Sequence, residues 1–303
     1  MNQKNRNESG LHTVWRRFRR HRLALAGAVL VACILLLAIF VPILSPYDPD
    51  QASALFNKPP SAEHWLGTDA VGRDVFTRLF VAVRISLLVG VLATAISTAI
   101  GVTLGLLSGF FGGWVDMLIM RLTDVIMSFP YILLVLVAAA VFEPGLRNII
   151  LILGFVDWPG IARLVRGNVL TLRETNFVRN SRLAGMPKRH ILLKEILPNT
   201  TAPVLVYATS VLALSILDEA SLSFIGMGVQ PPTASLGNLL NNAQNLTILT
   251  SRPWLWVPPG AMILLLVVAI NFIGDALRDA MDPTSQQKTS RKKFKTQKRE
   301  TEP

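Results

Sequence analysis

Long uncharged apolar blocks limit the folds open to this chain. The block from Leu23 to Leu44 contains no charged residue, and neither does the block from Ile85 to Val115. A helix needs about 20 apolar residues to cross the hydrocarbon core of a bilayer, so each block is long enough for one crossing. Only 16% of the 303 residues are charged, too few to cover a water-soluble domain of this size. The sequence therefore predicts an all-α polytopic membrane protein.

Six transmembrane helices are predicted. Gly112-Gly113 is expected to end the second, Pro258-Pro259 to open the sixth, and the third to be entered from as early as Met117. The first is longer than the apolar core of a signal peptide and no small-residue cleavage site follows it, so it is expected to remain uncleaved. The stretches that contain the six helices are 23–44, 85–115, 125–142, 149–161, 204–225 and 254–273.

The distribution of basic residues orients these helices. With the N-terminus inside, the internal segments 1–22, 112–124, 162–203 and 274–303 hold 24 of the 30 Lys and Arg residues. The positive-inside rule then places both termini in the cytoplasm. The net charge of +11 is thus mainly a topology signal, and nucleic acid is not an expected partner. The basic tail 277–303 is expected to be solvated, with contact to anionic membrane lipid as the alternative.

Several kinds of function lack residues to support them. Cys33 is the single cysteine and all four histidines lie outside the apolar stretches, so the spans hold neither a nucleophile–base pair nor a metal-binding cluster. The chain has no Gly-x4-Gly-Lys-Ser/Thr stretch, so we expect no ATP and no other cofactor to bind to it. No repeated filter of a channel and no internal repeat are visible. An ion-coupled secondary transporter stays open as an alternative.

The external segment 45–84 carries a polar motif. Leu66-Gly67-Thr68-Asp69 is typical of a turn and a helix N-cap, and an interfacial helix is expected to follow as far as Leu79. Two pairs of opposite charge have the i,i+4 spacing of such a helix, Asp69 with Arg73 and Asp74 with Arg78. The segment is interpreted as a structural lid, or as a rim that meets a substrate-delivery protein. Its motif residues are Gly67, Thr68, Asp69, Gly72, Arg73, Asp74 and Arg78.

A stripe of glycines marks the second predicted span. Gly101, Gly105 and Gly109 recur at every fourth residue and so share one face of a helix. Small residues on one face let another helix approach closely, which favours a packing role. A pore-lining groove is the alternative.

Acidic residues stand inside two other predicted spans. Asp218 and Glu219 lie in the later half of the fifth, and Asp157 lies in the fourth. Ionisable groups are costly in a membrane span and usually face the bundle interior or water. They are interpreted either as lining a substrate path or as hydrogen-bonding partners of neighbouring helices.

The internal loop 162–203 is predicted to form two short helices. The first spans Glu174 to Ala184, and Gly185 suits the position after its C-terminus. The second, amphipathic, is expected to run from Lys188 to Leu197 and to stop at Pro198. Two short helices joined by a glycine turn would form a rigid knob, which either covers the end of the bundle or is gripped by another protein.

This loop resembles the EAA loop of ABC importer membrane subunits, whose pattern is Glu-Ala-Ala-x3-Gly-x9-Ile-x-Leu-Pro. Gly185 and Leu197-Pro198 match that spacing, whereas Arg179-Asn180-Ser181 replace Glu-Ala-Ala and Glu195 stands at the isoleucine position. Three further stretches are similar to the shorter, C-type permease of the dipeptide/oligopeptide/nickel importers. These stretches are 66–78, 222–232 and 274–283.

The resemblance implies a type I ABC importer permease fold, with residues 85–276 as its core. This chain would form half of the pathway and a homologous second permease the other half. One or two ATPase subunits would bind ATP and Mg²⁺ below, and an external binding protein would deliver substrate. The internal loop would dock in the ATPase as the coupling loop. The residues assigned to it are Asn176, Phe177, Arg179, Asn180, Ser181, Arg182, Ala184, Gly185, Pro187, Leu197 and Pro198.

The same resemblance suggests a transporter subunit that is not itself an enzyme, located in a bacterial or archaeal cell membrane. Peptides are the cargo it favours. Nickel, metallophores and sugars stay open, because close relatives in this group carry them.

Overall fold

The computed structural model describes residues 22–281, and this part of the chain is a bundle of helices with one isolated β-bridge, Thr68 to Asp74. The predicted segment 1–22, apart from its last residue, and the predicted tail beyond residue 281 lie outside the described residues. The helices are α1 (Arg22–Leu44), α2 (Val75–Phe111), α3 (Gly113–Ser128), α4 (Tyr131–Val141), α5 (Leu146–Val156), α6 (Trp158–Leu172), α7 (Asn176–Leu183), α8 (Lys188–Phe224), α9 (Leu236–Asn241), α10 (Leu246–Ser251) and α11 (Val257–Met281).

Five of the described helical segments are long and apolar enough to cross a membrane: α1, α2, the joined pair α5–α6, α8 and α11. A sixth crossing is made if α3 and α4 count as one span. That pair is bent by 90°, so the third predicted span, 125–142, is broken into two helices and is not one continuous helix. The bend lies at Phe129-Pro130, because the proline ring excludes the α conformation for the residue before it, and Phe129 has ψ 144°.

The start of α2 differs from the prediction. The helix begins at Val75 and runs for 37 residues, so no separate interfacial helix precedes it. Its N-cap is Asp74 and not Asp69. The Asp74 carboxylate accepts a hydrogen bond from the Thr77 amide at 2.8 Å. Val75 and Leu79 are buried in the bundle and do not face the membrane interface.

Helix α8 also extends further than predicted. It runs from Lys188 through Pro198 to Phe224, so the segment between α6 and α8 covers only 173–187 and not 162–203. A π-turn at Ile191–Ile196 precedes the proline. Because a π-turn replaces the i→i−4 hydrogen bonds with wider ones, the missing proline N–H does not stop the helix there.

Helix α2 lies at the centre of the bundle and contributes to three buried apolar clusters. The first joins it to α1, α8, α9 and α11, the second to α6, α7 and α8, and the third to α4, α5 and α8. Many large apolar side chains outside these clusters remain exposed, as expected for a surface that faces lipid.

The glycine stripe of α2 lies against α6. A Cβ atom at Gly101 would lie 2.6 Å from the Cβ of Ile161, and one at Gly105 would lie 2.6 Å from the Ala162 carbonyl oxygen. At Gly109 the corresponding distance to Val169 Cβ is 2.7 Å. The two helices therefore touch along three turns, at a separation that only glycine allows on the α2 side.

Candidate functional site

The loop between α6 and α8 forms a compact knob of residues 173–187 around α7. Gly185 has φ +73°, the left-handed conformation that glycine adopts at low cost. The Met186 amide donates to the Ser181 carbonyl at 3.1 Å and the Gly185 amide donates to the Arg182 carbonyl at 3.1 Å. These two bonds are the Schellman arrangement, and Pro187 then bars the helix from continuing. The turn that reverses the chain is thus built from local residues.

Three contacts attach α7 to the bundle. Val178 is fully buried in the cluster that includes Ile191 and Ile196 of α8. The Ser181 hydroxyl donates to the Glu195 carboxylate at 2.6 Å, which ties α7 to the same helix. The Arg182 guanidinium lies 5.6 Å from the ring centroid of Phe110 on α2. A displacement of α7 would therefore pull on the base of α8 and on the end of α2.

The outer face of the knob combines apolar and basic groups. Leu183 is 86% exposed, and Phe177 and Met186 are exposed as well. Hydrogen bonds from Arg179 and Arg173 hold the pKa of Glu174 below its usual value. Its carboxylate is therefore ionised and neutralises part of the positive charge of these arginines. Other exposed residues of the predicted coupling set are Asn176, Arg179, Asn180, Arg182, Ala184, Gly185 and Pro187, whereas Leu197 and Pro198 lie in α8 beyond the knob.

The external motif folds into a lid over the start of α2. Arg78 is only 3% exposed and donates to the Pro49 carbonyl at 2.7 Å, to Asp50 at 2.9 Å and to the Pro232 carbonyl at 3.3 Å. The predicted pairing of Arg78 with Asp74 is wrong, because the Asp74 carboxylate contacts His64 and Thr77 while Arg78 pairs with Asp50.

The remaining motif residues hold the same lid together. Asp69 pairs with Arg73 at 2.8 Å in a turn and not on a helix, and the Thr68 hydroxyl accepts a hydrogen bond from the Lys58 amide at 2.9 Å. Gly67 and Gly72 have positive φ. A Cβ atom at either position would lie within 2.3 Å of a backbone carbonyl oxygen in the adjacent loop segment. The burial of these residues favours the interpretation as a structural lid.

Glu219, one of the acids interpreted as possible pathway residues, is enclosed in the bundle. It is fully buried, accepts a hydrogen bond from Ser86 of α2 at 2.6 Å and another from Ser223 at 2.7 Å. The same two hydroxyls accept from the amides of Leu236 and Val229 at 3.1 and 3.0 Å. Glu219 therefore joins α2 and α8 to the loop 225–235 and to the start of α9. Nothing in the local sequence around Ser86 or Ser223 indicates this role.

Asp218, the neighbouring acid, lines a cavity of about 480 Å³ between α3, α4, α6 and α8. Its carboxylate accepts a hydrogen bond from the Tyr131 hydroxyl at 2.9 Å. Asp157, at the junction of α5 and α6, lines the same cavity. The remaining lining residues are Ile126, Met127, Phe129, Leu134, Val156, Pro159, Gly160, Tyr207, Val211 and Leu214.

Two ion pairs that the sequence did not reveal link α3 to α6. Arg166 contacts Asp116 through two hydrogen bonds of 2.6 Å, and Arg163 contacts Asp124 at 2.6 Å. The partners are 50 and 39 residues apart, so no helix spacing connects them. These bonds hold α3 beside the α2–α6 pair. The bend between α3 and α4, which forms one wall of the cavity, follows directly after this part of α3.

Comparison with known proteins gives consistent matches along the chain. Residues 101–286 match the family model of the binding-protein-dependent transport system inner membrane component, and residues 9–60 match the N-terminal TM domain of oligopeptide transport permease C. The glutathione transport system permease proteins GsiD of Shigella flexneri and of Escherichia coli are each 43% identical over 274 residues, 90% of this chain and of theirs. The inward-facing MetNI methionine ABC transporter shares the fold, with a TM-score of 0.53, 20% identity, and coverage of 66% of this chain and 95% of that one.

Proposed function

The chain belongs to the family of binding-protein-dependent transport system inner membrane components, and from that premise we propose that it is the subunit that carries peptides across the membrane in an ATP-driven importer. It is a multi-pass permease of the inner membrane. Peptide cargo is supported by the match to oligopeptide transport permease C and by relatives named for glutathione, which is itself a tripeptide. The observation that carries the proposal is the exposed, well-anchored knob around α7.

The knob is suited to receive force from an ATPase. The excess of Lys and Arg in the predicted internal segments favours a cytoplasmic position for the knob, where ATP is available. ATP-driven closure of two ATPase subunits would move α7 as a rigid body, because the Schellman turn and the buried Val178 leave it little freedom. For this motion to drive transport, nucleotide and substrate must each bind the inward-open and outward-open states with different affinity.

Helix α8 provides a direct route from the knob to the cavity. Its first turns hold Ile191 and Glu195, which contact α7, and its later turns place Val211 and Asp218 in the cavity wall. One continuous helix therefore joins the proposed ATPase contact to the proposed pathway. A homologous second permease would close the other side of that pathway, and an external binding protein would supply the peptide.

Copurification tests this assignment. The chain would be extracted from native membranes in mild detergent, and the proteins that elute with it identified by mass spectrometry. We expect a second six-span permease and one or two ATPases with Walker motifs, and a co-eluting binding protein would identify the cargo through its own ligand. A chain that elutes alone and transports in liposomes without ATP would contradict the proposal and indicate a secondary carrier.

The bond between Ser181 and Glu195 offers a specific prediction about coupling. Ser181→Ala would leave the partly buried Glu195 carboxylate without its donor, and its Oε2 atom already has no hydrogen-bond partner among residues 22–281. An unpaired buried acceptor costs about 1–3 kcal/mol, so the α7–α8 contact should loosen. We expect the importer to use severalfold more ATP for each peptide transported, measured as hydrolysis and uptake in the same proteoliposomes.

The double variant Ser181→Ala/Glu195→Ile is the matched control. It places the residues of the EAA pattern at both positions and replaces both hydrogen-bonding partners with apolar groups, an exchange that is close to neutral. We expect it to recover most of the wild-type ratio of ATP to peptide. A double variant that is as poorly coupled as Ser181→Ala would contradict the proposed role of this contact.

A further inference from the structure

We propose that the cavity between α3, α4, α6 and α8 is a transient binding site for the primary ammonium group at the N-terminus of the transported peptide. The inference deepens the proposed function and rests on it. It begins from the charge of the cavity wall, which includes the carboxylates of Asp157 and Asp218 and, within residues 22–281, contains no Lys, Arg or His. Carboxylates at membrane depth are costly unless a partner compensates them. A ligand cation would be that partner.

The geometry of Asp157 supports a role toward a ligand. The residue directly precedes α6, a position where an aspartate normally accepts a hydrogen bond from the first turn and stabilises the helix by about 1 kcal/mol. Its side chain makes no such bond. Its Oδ2 atom is buried and has no hydrogen-bond partner within the described part of the chain. The Tyr131 and Ser215 hydroxyls lie near this carboxylate, but they are neutral groups and leave its charge uncompensated. The carboxylate therefore keeps capacity for an ammonium N–H.

The second carboxylate is positioned from the opposite wall. Asp218 comes from α8, and the Tyr131 hydroxyl at the start of α4 donates to its Oδ2 atom. One hydrogen bond leaves acceptor capacity on this carboxylate for a further donor. On the same helix, the fully buried Ser215 hydroxyl lies near the Asp157 carboxylate, behind the cavity wall. An ammonium group has three donors, and the two carboxylates and the Tyr131 hydroxyl that line this cavity offer several acceptors.

The other residues of the cavity wall also suit a small ligand that carries an ammonium group. The rings of Phe129, Tyr131 and Tyr207 line the cavity, and aromatic faces attract cations. A volume of about 480 Å³ lies within the usual range for small-ligand sites, roughly 300–1,000 Å³. Because two carboxylates cannot face lipid tails cheaply, the mouth of the cavity must open to water or to a second permease. That is the position of a translocation pathway.

Chemical labelling of the assembled importer tests the site without relying on transport. The complex in nanodiscs would be treated with dicyclohexylcarbodiimide, and labelling of each acid quantified by mass spectrometry. Glycinamide, which carries an ammonium and no carboxylate, should reduce labelling of Asp157 and Asp218 at least fivefold. Its neutral analogue N-acetylglycinamide should leave the labelling unchanged, and the exposed Glu143 should be labelled equally under all conditions. Equal protection by both probes, or by neither, would overturn the proposal.

Transport by variants provides the second readout. We expect Asp157→Asn and Asp218→Asn each to lower uptake of a peptide with a free N-terminus at least tenfold, with normal complex assembly and ATP hydrolysis, while Glu143→Gln transports normally. Unchanged uptake by the double asparagine variant would overturn the proposal. Should that variant fail to assemble, the labelling of the wild-type complex decides. ATP-driven uptake by the wild-type complex tests the importer function separately, so the two conclusions can fail independently.

Discussion

A Gly185→Val variant is expected to assemble and hydrolyse ATP while losing at least nine-tenths of its peptide uptake. Gly185 has φ +73°, and a β-branched residue in this conformation costs of order 1–3 kcal/mol. No atom lies within 4 Å of a Cβ placed there, so the cost comes from the backbone and not from a clash. The turn would relax by giving up the bonds to Ser181 and Arg182, and α7 would no longer move with α8. Hydrolysis and uptake in proteoliposomes measure the loss.

Gly185→Asn is the matched control for this prediction. Asparagine tolerates positive φ far better than valine, so the turn should persist and most of the uptake should remain. Normal uptake by a Gly185→Val protein that is present at normal abundance would contradict the coupling role of the knob. A loss of abundance in both variants would instead indicate a role in folding.

Gly105→Leu is expected to prevent stable assembly of the bundle. Even the first carbon of the new side chain would lie 2.6 Å from the Ala162 carbonyl oxygen and 2.7 Å from Val165 Cβ, so α2 and α6 must separate. Overpacking of this kind costs about 1–3 kcal/mol in a soluble core, and a backbone contact leaves little room for relief. We expect a lower melting temperature in detergent and a severalfold loss of protein from the membrane.

Gly167→Leu is the control on α6 itself. Nothing lies within 4 Å of a Cβ at this glycine, so the same change in size meets open space. Its melting temperature should stay close to that of the wild type. A Gly105→Leu protein as stable as Gly167→Leu would show that the two helices do not pack through the glycine stripe.

Features that depend on local chemistry were predictable. Hydropathy located the spans because lipid exposure demands a long apolar stretch, and the glycine spacing indicated a flat helix face. The turn at Gly185 followed from a glycine and a proline two residues apart. Each of these signals lies within one helix or one turn, where residue type and spacing already determine the outcome.

Features that depend on distant partners were not predictable. The first turns of α2 contain the charged residue Arg78, so hydropathy began the span too late, at residue 85 and not at Val75. In the structure Asp50, 28 residues away, neutralises this charge. Glu219 is an ionisable residue inside an apolar span, which is the sequence signal of a pathway residue. Only the fold brings it to Ser86, 133 residues away. These adjacent acids therefore lie in different surroundings, because α8 turns Glu219 into the core and Asp218 toward the cavity.

The most direct test of the central claim is site-specific photo-cross-linking in intact cells. A photo-reactive amino acid would replace Leu183 at the tip of the knob, and in a second protein Leu246 on α10, which is 73% exposed and lies on the predicted external side. We expect the probe at Leu183 to capture a Walker-motif ATPase and the probe at Leu246 not to do so. An ATPase captured from Leu246 and not from Leu183 would contradict both the orientation and the coupling role.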